Sequence, residues 1–222
     1  MKDSALERWE ILPALGMVRG VLFPGARCEA VLATSEAVGA VREAMQSWGN
    51  RSIAVFAARP RRQGAALPLD LFEVGTAAEV INLKQRSCCS RWVVELRATG
   101  TLRVCEHLQV SPFRIARIER ILEPLEDPDL LRCLGAAVHD RVRRIVALTP
   151  RCRRDGTACR TSNVTVVSDL VALAMNVLWD LPLEEQQRAL ELPLVSDRLH
   201  FSLVELDGLL ARADPRRHRL AE

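Results

Sequence analysis

An acidic segment that contains two prolines, Glu123–Asp129, divides this sequence into halves of different character. Before the segment, short runs rich in Val, Ile and Leu alternate in part with polar residues, a pattern typical of β-strands. After it, apolar residues recur with helical spacing. The prolines end the last strand, and Asp127 can cap the helix that follows. We therefore predict an α+β chain, with a small and mostly antiparallel β lobe over residues 1–124 and an α-helical bundle over residues 125–222.

The same patterns place individual elements along the chain. In the first half they predict a helix from Thr34 or Ser35 to about Trp48, and strands over residues 26–33, 52–58, 71–83, 91–98, 101–109 and 113–122. Gly100 is expected to form the turn of a hairpin between two of these strands. In the second half they predict helices over residues 129–147, 165–178 and 183–190, and a last helix that begins near Val195 and ends before Asp214. The second of these helices is apolar nearly all round, which predicts burial between neighbours.

Composition excludes several broad classes. Hydrophobic residues make up 49% of the chain, enough to bury a core, so the chain as a whole is not disordered. Charged residues interrupt the apolar stretches within about a dozen residues, too short a distance to cross a bilayer. The first residues include acids and Trp9 where a signal peptide requires an apolar run. We predict a cytoplasmic protein with no membrane partner.

The seven cysteines are odd in number and no export signal accompanies them, which argues against a disulfide framework. Cys28, Cys105 and Cys133 lie in strand or helix runs, and we predict that they are buried free thiols. A zinc site is the alternative, with candidate ligands Cys88, Cys89, Cys105 and His107. Adjacent cysteines on a strand point to opposite faces, which disfavours a shared ion. We therefore predict no metal, and a reactive thiol at Cys88 or Cys89 stays an open alternative.

The two lysines of the sequence, Lys2 and Lys84, limit the enzyme classes that fit. A phosphate-binding P-loop needs a glycine-rich segment followed by Lys-Ser or Lys-Thr, and neither lysine has that context. The same contexts disfavour a serine–lysine dyad. A Ser-His-Asp triad converges only in space and stays open, although no Gly-x-Ser-x-Gly elbow is present. We predict a protein that is not an enzyme, with no catalytic residues and no cofactor.

Several short motifs then follow one another in a familiar order. They are Leu12-Pro13-Ala14-Leu15, Leu22-Phe23-Pro24-Gly25, Phe72-Glu73-Val74-Gly75-Thr76-Ala77, Gly100 with Arg103 and Val104, Ser111-Pro112-Phe113, Ser168-Asp169-Leu170-Val171-Ala172 and Leu181-Pro182-Leu183-Glu184-Glu185-Gln186-Gln187. In this order, over roughly residues 10 to 210, the sequence resembles the amino-terminal substrate-recognition domain of Lon proteases, whose β lobe is PUA-like. Most of these residues are expected to determine the fold. Gly25 and Gly75 are expected where a side chain would clash or φ is positive, the three phenylalanines in the core, and Arg103 as a buried brace of the sheet.

The resemblance implies a non-catalytic protein-binding domain. It would capture unfolded or damaged client polypeptides, or act as an adaptor or regulator with a protease partner. In either case its function would be related to proteolysis. The ATPase and protease domains of a Lon protease are absent from this sequence, so a stand-alone domain is expected. Two alternatives stay open: a nucleic-acid-binding PUA-like module, and an isolated amino-terminal fragment of a full-length ATP-dependent Lon protease. The oligomeric state is not predicted.

Two arginine clusters and one aromatic residue are the candidate partner-binding residues. They are Arg61 and Arg62, Arg151, Arg153 and Arg154, and Trp92. The first cluster lies in a predicted loop at 59–64 and the second in a polar connector at 149–162. Such arginines would attract the acidic flanks of a client. The net charge of +3 is small for a protein that binds nucleic acid, and aromatic residues suited to base stacking are few.

Overall fold

The computed structural model describes residues 9–46, 51–60, 70–86, 90–148, 167–178 and 180–213. The chain forms two compact units, Met1–Leu122 and Glu123–Glu222. The first contains strands β1 (Trp9–Met17), β2 (Arg27–Leu32), β3 (Ser52–Ala57), β4 (Val74–Gln85), β5 (Trp92–Gln109) and β6 (Arg114–Arg120), with helix α1 (Ser35–Gln46). The second contains helices α2 (Pro128–Leu148), α3 (Val167–Val177), α4 (Leu183–Glu191) and α5 (Val195–Ala213). The predicted α+β class is confirmed.

The strands form a single sheet in the order β2-β5-β4-β3-β1-β6, and β5 also pairs with β6. Every pairing is antiparallel except that of β1 with β3. The first half of β5 pairs with β2, from Trp92 to Arg97, and its second half pairs with β6 from Leu102 onward. One long strand therefore joins the two ends of the sheet, and the prediction of a mostly antiparallel β lobe is confirmed.

The predicted hairpin at Gly100 is wrong. Gly100 lies in the middle of β5, where it pairs with Ala77 of β4. The register shifts between Ala77 and Ala78, so that Thr99 is an extra residue in β5, and the Thr99 hydroxyl donates a hydrogen bond of 3.1 Å to the Ala77 carbonyl oxygen. A glycine within a strand is typical of such a bulge as well as of a turn. The bulge allows the strand to bend and continue.

Strand β1 was not predicted, and Pro13 lies within it. Proline has no N–H group for the hydrogen-bond ladder and is usually confined to places where one edge of a strand is unpaired. Pairing of β1 with β6 includes Pro13, whereas pairing with β3 begins at Ala14. The proline therefore lies where β1 has a neighbour on one side only.

Helix α1 packs against the sheet and fills one of two hydrophobic clusters that the described residues of the first unit form. The predicted cap is confirmed, because the Thr34 side-chain oxygen accepts a hydrogen bond of 3.2 Å from the Ala37 N–H. The cluster beneath the helix combines its residues Ala40, Val41 and Ala44 with strand residues such as Ile53, Val80 and Leu96. A second cluster consists mainly of strand residues, among them Leu12, Phe56, Leu102 and Ile118. These two clusters hold the strands in register.

Two predicted glycine roles are confirmed. Gly25 has a φ of 82°, which disfavours any residue with a side chain. A Cβ at Gly75 would lie 2.4 Å from the Val55 carbonyl oxygen and 2.5 Å from Cδ1 of Phe56. Of the three phenylalanines expected in the core, Phe23 is buried, whereas Phe72 and Phe113 are half-buried.

The predicted burial of Arg103, Cys105 and Cys133 is wrong, since all three are exposed. Beyond Val104 in the described chain, β5 pairs with β6 alone, and a two-stranded ribbon cannot cover both of its faces. Cys133 lies off the buried face of α2. Cys28 is half-buried, and these three described cysteines are free thiols. Cys88 and Cys89 lie outside the described residues.

The helical unit is built on contacts of α2 with α3 and α5. Helix α2 buries Gly135, Val138, Val142, Ile145 and Val146, the face expected from its apolar spacing. Helix α3 is buried from Leu170 to Met175, so the predicted burial on nearly all sides is confirmed. The close packing of α2 on α3 leaves little room at Gly135, where a Cβ would lie 2.9 Å from Cδ1 of Leu170.

The acidic segment before α2 holds the start of α5. The Glu126 carboxylate accepts hydrogen bonds from the backbone N–H groups of Val195, at 2.7 Å, and Ser196, at 3.1 Å. Arg198 is 3% exposed; it donates to the Leu192 carbonyl oxygen at 2.9 Å and to Glu123 at 2.6 Å. The predicted cap of α2 is also present, since the Asp127 carboxylate accepts from the Asp129 N–H at 2.9 Å. A carboxylate at the start of a helix stabilises the N–H groups that lack partners there.

We expect Glu126→Gln to lower the free energy of unfolding by about 1 kcal/mol at pH 7. Burial raises the pKa of Glu126, but the hydrogen bonds from Ser196 and Val195 and the charge of Arg198 outweigh it, so the pKa lies below its ordinary value of 4.5. A lowered folded-state pKa means that the carboxylate stabilises the fold above the unfolded-state pKa. That contribution disappears as the pH falls through the folded-state pKa.

The measurement is urea unfolding, followed by the helical circular dichroism signal, at pH 7 and at about pH 3. The difference between wild type and Glu126→Gln should be present at the higher pH and shrink at the lower one. Glu184→Gln makes the same chemical change at an exposed position of α4 and should cost less than about 0.5 kcal/mol at both. A Glu126→Gln deficit that is independent of pH would contradict this role of the carboxylate charge.

Candidate functional site

A surface pocket of about 490 Å³ lies in the first unit, where β2 leads into α1 and β5 begins. Ten described residues from three segments line it: Leu32, Ala33, Thr34, Ser35, Val38, Gly39, Arg42, Ser90, Arg91 and Trp92. Its walls combine apolar side chains with hydroxyl groups and two guanidinium groups. A pocket of this size and mixed character can accept a large side chain with a polar neighbour.

Trp92 is the aromatic residue of this pocket. It is the first residue of β5, pairs with Leu32 of β2 and Gln85 of β4, and packs half-buried against the core beneath α1. The guanidinium carbon of Arg42 lies 4.8 Å from the centre of its ring, which is a cation–π contact. The helix and the sheet are therefore joined across the pocket by an arginine stacked on a tryptophan.

Local backbone contacts fix the two rims of the pocket. On one side, the Thr34 cap turns the chain from β2 into α1. On the other, the Gln85 side-chain amide donates to the Ser90 carbonyl oxygen at 3.0 Å, and the Arg86 N–H donates to the Arg91 carbonyl oxygen at 2.8 Å. Ser90 itself has a φ of 52°. These bonds hold Arg91 and Trp92 beside the helix independently of any ligand.

The described lining of the pocket is basic. It includes no aspartate or glutamate, and neither Arg42 nor Arg91 forms an ion pair with another described residue. Other arginines of the first unit do form such pairs: Arg59 with Asp70, Arg86 with Glu29, Arg97 with Glu79, Arg117 with Glu106 and Arg120 with Glu10. The charges of these five arginines are balanced locally, whereas the two guanidinium groups of the pocket remain available for an anionic ligand.

The described residues contain no group of three or more His, Cys, Asp or Glu side chains arranged to hold a metal ion. Cys105 and His107 lie on the exposed part of β5, and the other two candidate zinc ligands, Cys88 and Cys89, lie outside the described residues. Burial lowers the pKa of His107, as does the nearby charge of Arg114. Burial, with the charge of Glu119, raises the pKa of Cys105. Both shifts favour the neutral forms of these side chains.

Of the predicted partner-binding residues, Trp92 lies in the pocket. The others, Arg61, Arg62, Arg151, Arg153 and Arg154, lie outside the described residues, so their role stays a prediction. The structure adds Arg42, which the sequence did not single out. Arg42 follows Val38, another residue of the pocket, by four residues, which is one turn of the helix. That spacing was the available signal.

Comparison with known proteins identifies the family. Residues 11–208 match the family model described as the ATP-dependent protease La (LON) substrate-binding domain. The chain belongs to this family. Lon protease 2 of Thermus thermophilus is 26% identical to it over 212 residues, which are 94% of this chain, and Lon protease 2 of Sorangium cellulosum is 35% identical over 106 residues, which are 46% of it.

The fold of this LON substrate-binding domain also matches a solved structure. The amino-terminal domain of the Mycobacterium avium complex Lon protease aligns with a TM-score of 0.68, covering 89% of this chain and 98% of that one, at 14% identity. The chain spans 25% of the length of the Thermus relative and 13% of the length of the Sorangium relative. No helix in the described ranges is both long and apolar enough to cross a membrane.

Proposed function

We propose that this LON substrate-binding domain captures unfolded or damage-exposed polypeptide segments through the pocket around Trp92, and that it does so without altering them chemically. The observation that carries the proposal is the stacked pair of Arg42 and Trp92 over a pocket that also contains Leu32 and Val38. Membership of a substrate-binding family supports it. Aromatic and arginine side chains in a partly apolar pocket are the residues that contribute most to protein recognition.

The pocket suits short and adaptable segments. Its volume of about 490 Å³ suits a few side chains and not a folded surface. An unfolded segment loses conformational freedom on binding, so a single pocket of this size gives modest affinity. Modest affinity allows many different clients to be bound and released, which fits capture of non-native chains. A dedicated adaptor role with a protease partner and a place at the amino terminus of a longer Lon protease remain alternatives. The cytoplasmic location stays a prediction.

Polypeptide binding is favoured over nucleic-acid binding by the charge pattern. A phosphate-binding surface needs several adjacent basic side chains without carboxylate partners. In the described part of the first unit, five arginines and Lys84 have carboxylates within ion-pair distance. Two guanidinium groups beside an apolar wall are too few for a stretch of phosphates, but they suit a peptide.

The test is titration of a fluorescently labelled casein, a chain without stable structure, with the purified protein. We expect saturable binding by anisotropy, casein that stays intact on a gel with or without ATP, and affinity about threefold to tenfold lower for Trp92→Ala. Trp9→Ala is the matched control. Trp9 is 53% exposed on β1 and does not line the pocket, so its removal should leave the affinity unchanged.

Circular dichroism and thermal unfolding of both variants establish that the fold is retained. If Trp92→Ala and Trp9→Ala lose affinity for casein equally, the pocket is not the binding site. Absence of casein binding in the wild type would overturn it. Binding of RNA in preference to casein, with affinity that falls steeply with salt, would identify the chain as a nucleic-acid-binding module instead.

A further inference from the structure

We propose that the pocket around Trp92 selects apolar side chains that have an acidic side chain as a close neighbour in the client sequence. This inference rests on the proposed function and gives it a substrate class. Almost every unfolded polypeptide contains apolar segments. An apolar pocket alone would therefore discriminate little between different clients. The uncompensated basic groups of this pocket supply a second criterion.

Arg42 is placed to bind a carboxylate while it remains stacked on Trp92. The guanidinium carbon of Arg42 lies 4.8 Å from the centre of the Trp92 ring, and none of its N–H donors forms a hydrogen bond with another described residue. Those donors match the two oxygens of a carboxylate. Because the contact with Trp92 holds Arg42 in place, less conformational entropy is lost when the carboxylate binds. The tryptophan therefore prepares the arginine as well as forming part of the apolar wall.

Arg91 provides a second positive group from a different element. It precedes Trp92 at the start of β5, whereas Arg42 projects from α1, and both line the same pocket. The described lining contains no acidic side chain that would neutralise them or repel a client carboxylate. Leu32 and Val38 supply the apolar surface between the two elements. An apolar side chain with an aspartate or glutamate beside it complements this arrangement, and a lysine in the same place is repelled by it.

The experiment uses three labelled peptides that share a Leu-Phe core and differ only in the flanking residues, which are aspartate, asparagine or lysine. The label is a net-neutral rhodamine and the readout is anisotropy at low ionic strength. We expect the aspartate peptide to bind about threefold to tenfold tighter than the asparagine peptide, because exposed ion pairs contribute modestly and two are available. The lysine peptide should bind most weakly. Raising the salt concentration should narrow these differences.

Charge-reversal variants assign the preference to the pocket. Arg42→Glu should abolish the preference for aspartate and make the lysine peptide the tightest of the three, and Arg91→Glu should shift the preference in the same direction. Arg103→Glu is the control. Arg103 is exposed on β5 and does not line the pocket, and its replacement by glutamate changes the net charge of the protein as much as the other two substitutions do. It should retain the order of the wild type. Arg42→Glu also removes the contact between Arg42 and Trp92. Arg91→Glu leaves that contact in place, so it tests the effect of charge alone.

The outcomes separate the two proposals. If the three peptides bind equally, and Trp92→Ala weakens all of them, the acidic preference is overturned while polypeptide capture stands. If Arg103→Glu removes the preference as fully as Arg42→Glu, the effect comes from net charge and the inference is overturned. If neither the peptides nor casein bind, the proposed function fails as well.

Discussion

Replacing Arg198 with methionine is expected to lower the free energy of unfolding of the helical unit by about 3 kcal/mol. Arg198 is 3% exposed and donates to two partners, the carbonyl oxygen of half-buried Leu192 at 2.9 Å and the carboxylate of Glu123, whose side chain is 34% exposed, at 2.6 Å. Methionine fills much of the same volume but donates no hydrogen bond. Both oxygens would then lose the hydrogen bond that the buried guanidinium group donates to them. Urea unfolding followed at the helical circular dichroism signal measures the loss.

Arg132→Met is the matched control for this experiment. Arg132 is on α2 of the same unit and forms an ion pair with Asp129 at 2.9 Å, but its side chain is 75% exposed. Exposed pairs of this kind contribute little, so the variant should lose no more than about 0.5 kcal/mol. Similar losses for the two variants would mean that burial does not set the importance of Arg198.

Replacing Gly75 with alanine is expected to cost about 3 kcal/mol or more, or to prevent folding of the first unit. The added methyl group would lie 2.4 Å from the Val55 carbonyl oxygen and 2.5 Å from the Phe56 ring. Real Cβ atoms do not approach a backbone oxygen so closely. Either β3 and β4 must separate at this point or the Phe56 side chain and the Val55 peptide must both move. Phe56 is 1% exposed, so the surrounding core leaves it no free space.

Gly100→Ala provides the contrast on the neighbouring strand. A Cβ at Gly100 meets no atom within 4 Å, and the residue pairs with Ala77, two positions from Gly75. Alanine reduces the freedom of the unfolded chain, so stability should stay the same or rise by up to about 1 kcal/mol. Thermal unfolding of the two variants side by side is sufficient. A large loss in Gly100→Ala would show that the bulge at Thr99 requires glycine.

Local chemistry in the sequence was enough to predict the helix caps at Thr34 and Asp127, because a cap depends on residues a few positions apart. It was not enough at Gly100 or Pro13. Both residues are usually breakers, and whether a strand continues through them depends on the strands that pair with it. The register of β4 at Gly100 and the absence of a β3 partner at Pro13 are properties of the assembled sheet.

Which charged residues are buried could likewise not be predicted from the sequence. Arg103 was expected to be buried and is exposed, whereas Arg198 was not singled out and is 3% exposed. The residue type is the same at both positions, and only the long-range partner, Glu123 for Arg198, decides which side chain can be buried. The candidate site shows the same limit. Trp92 was predicted from its residue type, but its contact with Arg42 joins two elements fifty positions apart in the chain.

The attachment of the acidic segment to α5 has a consequence for dissecting this protein into fragments. Glu123 and Glu126 precede the first helix of their unit, yet they hold the beginning of its last helix through Arg198, Val195 and Ser196. A fragment that began at α2 would discard both carboxylates and leave a buried guanidinium group and a helix end without their partners. Expression of the helical unit alone should therefore start upstream of Glu123 and include the whole acidic segment, which looks in the sequence like an expendable linker.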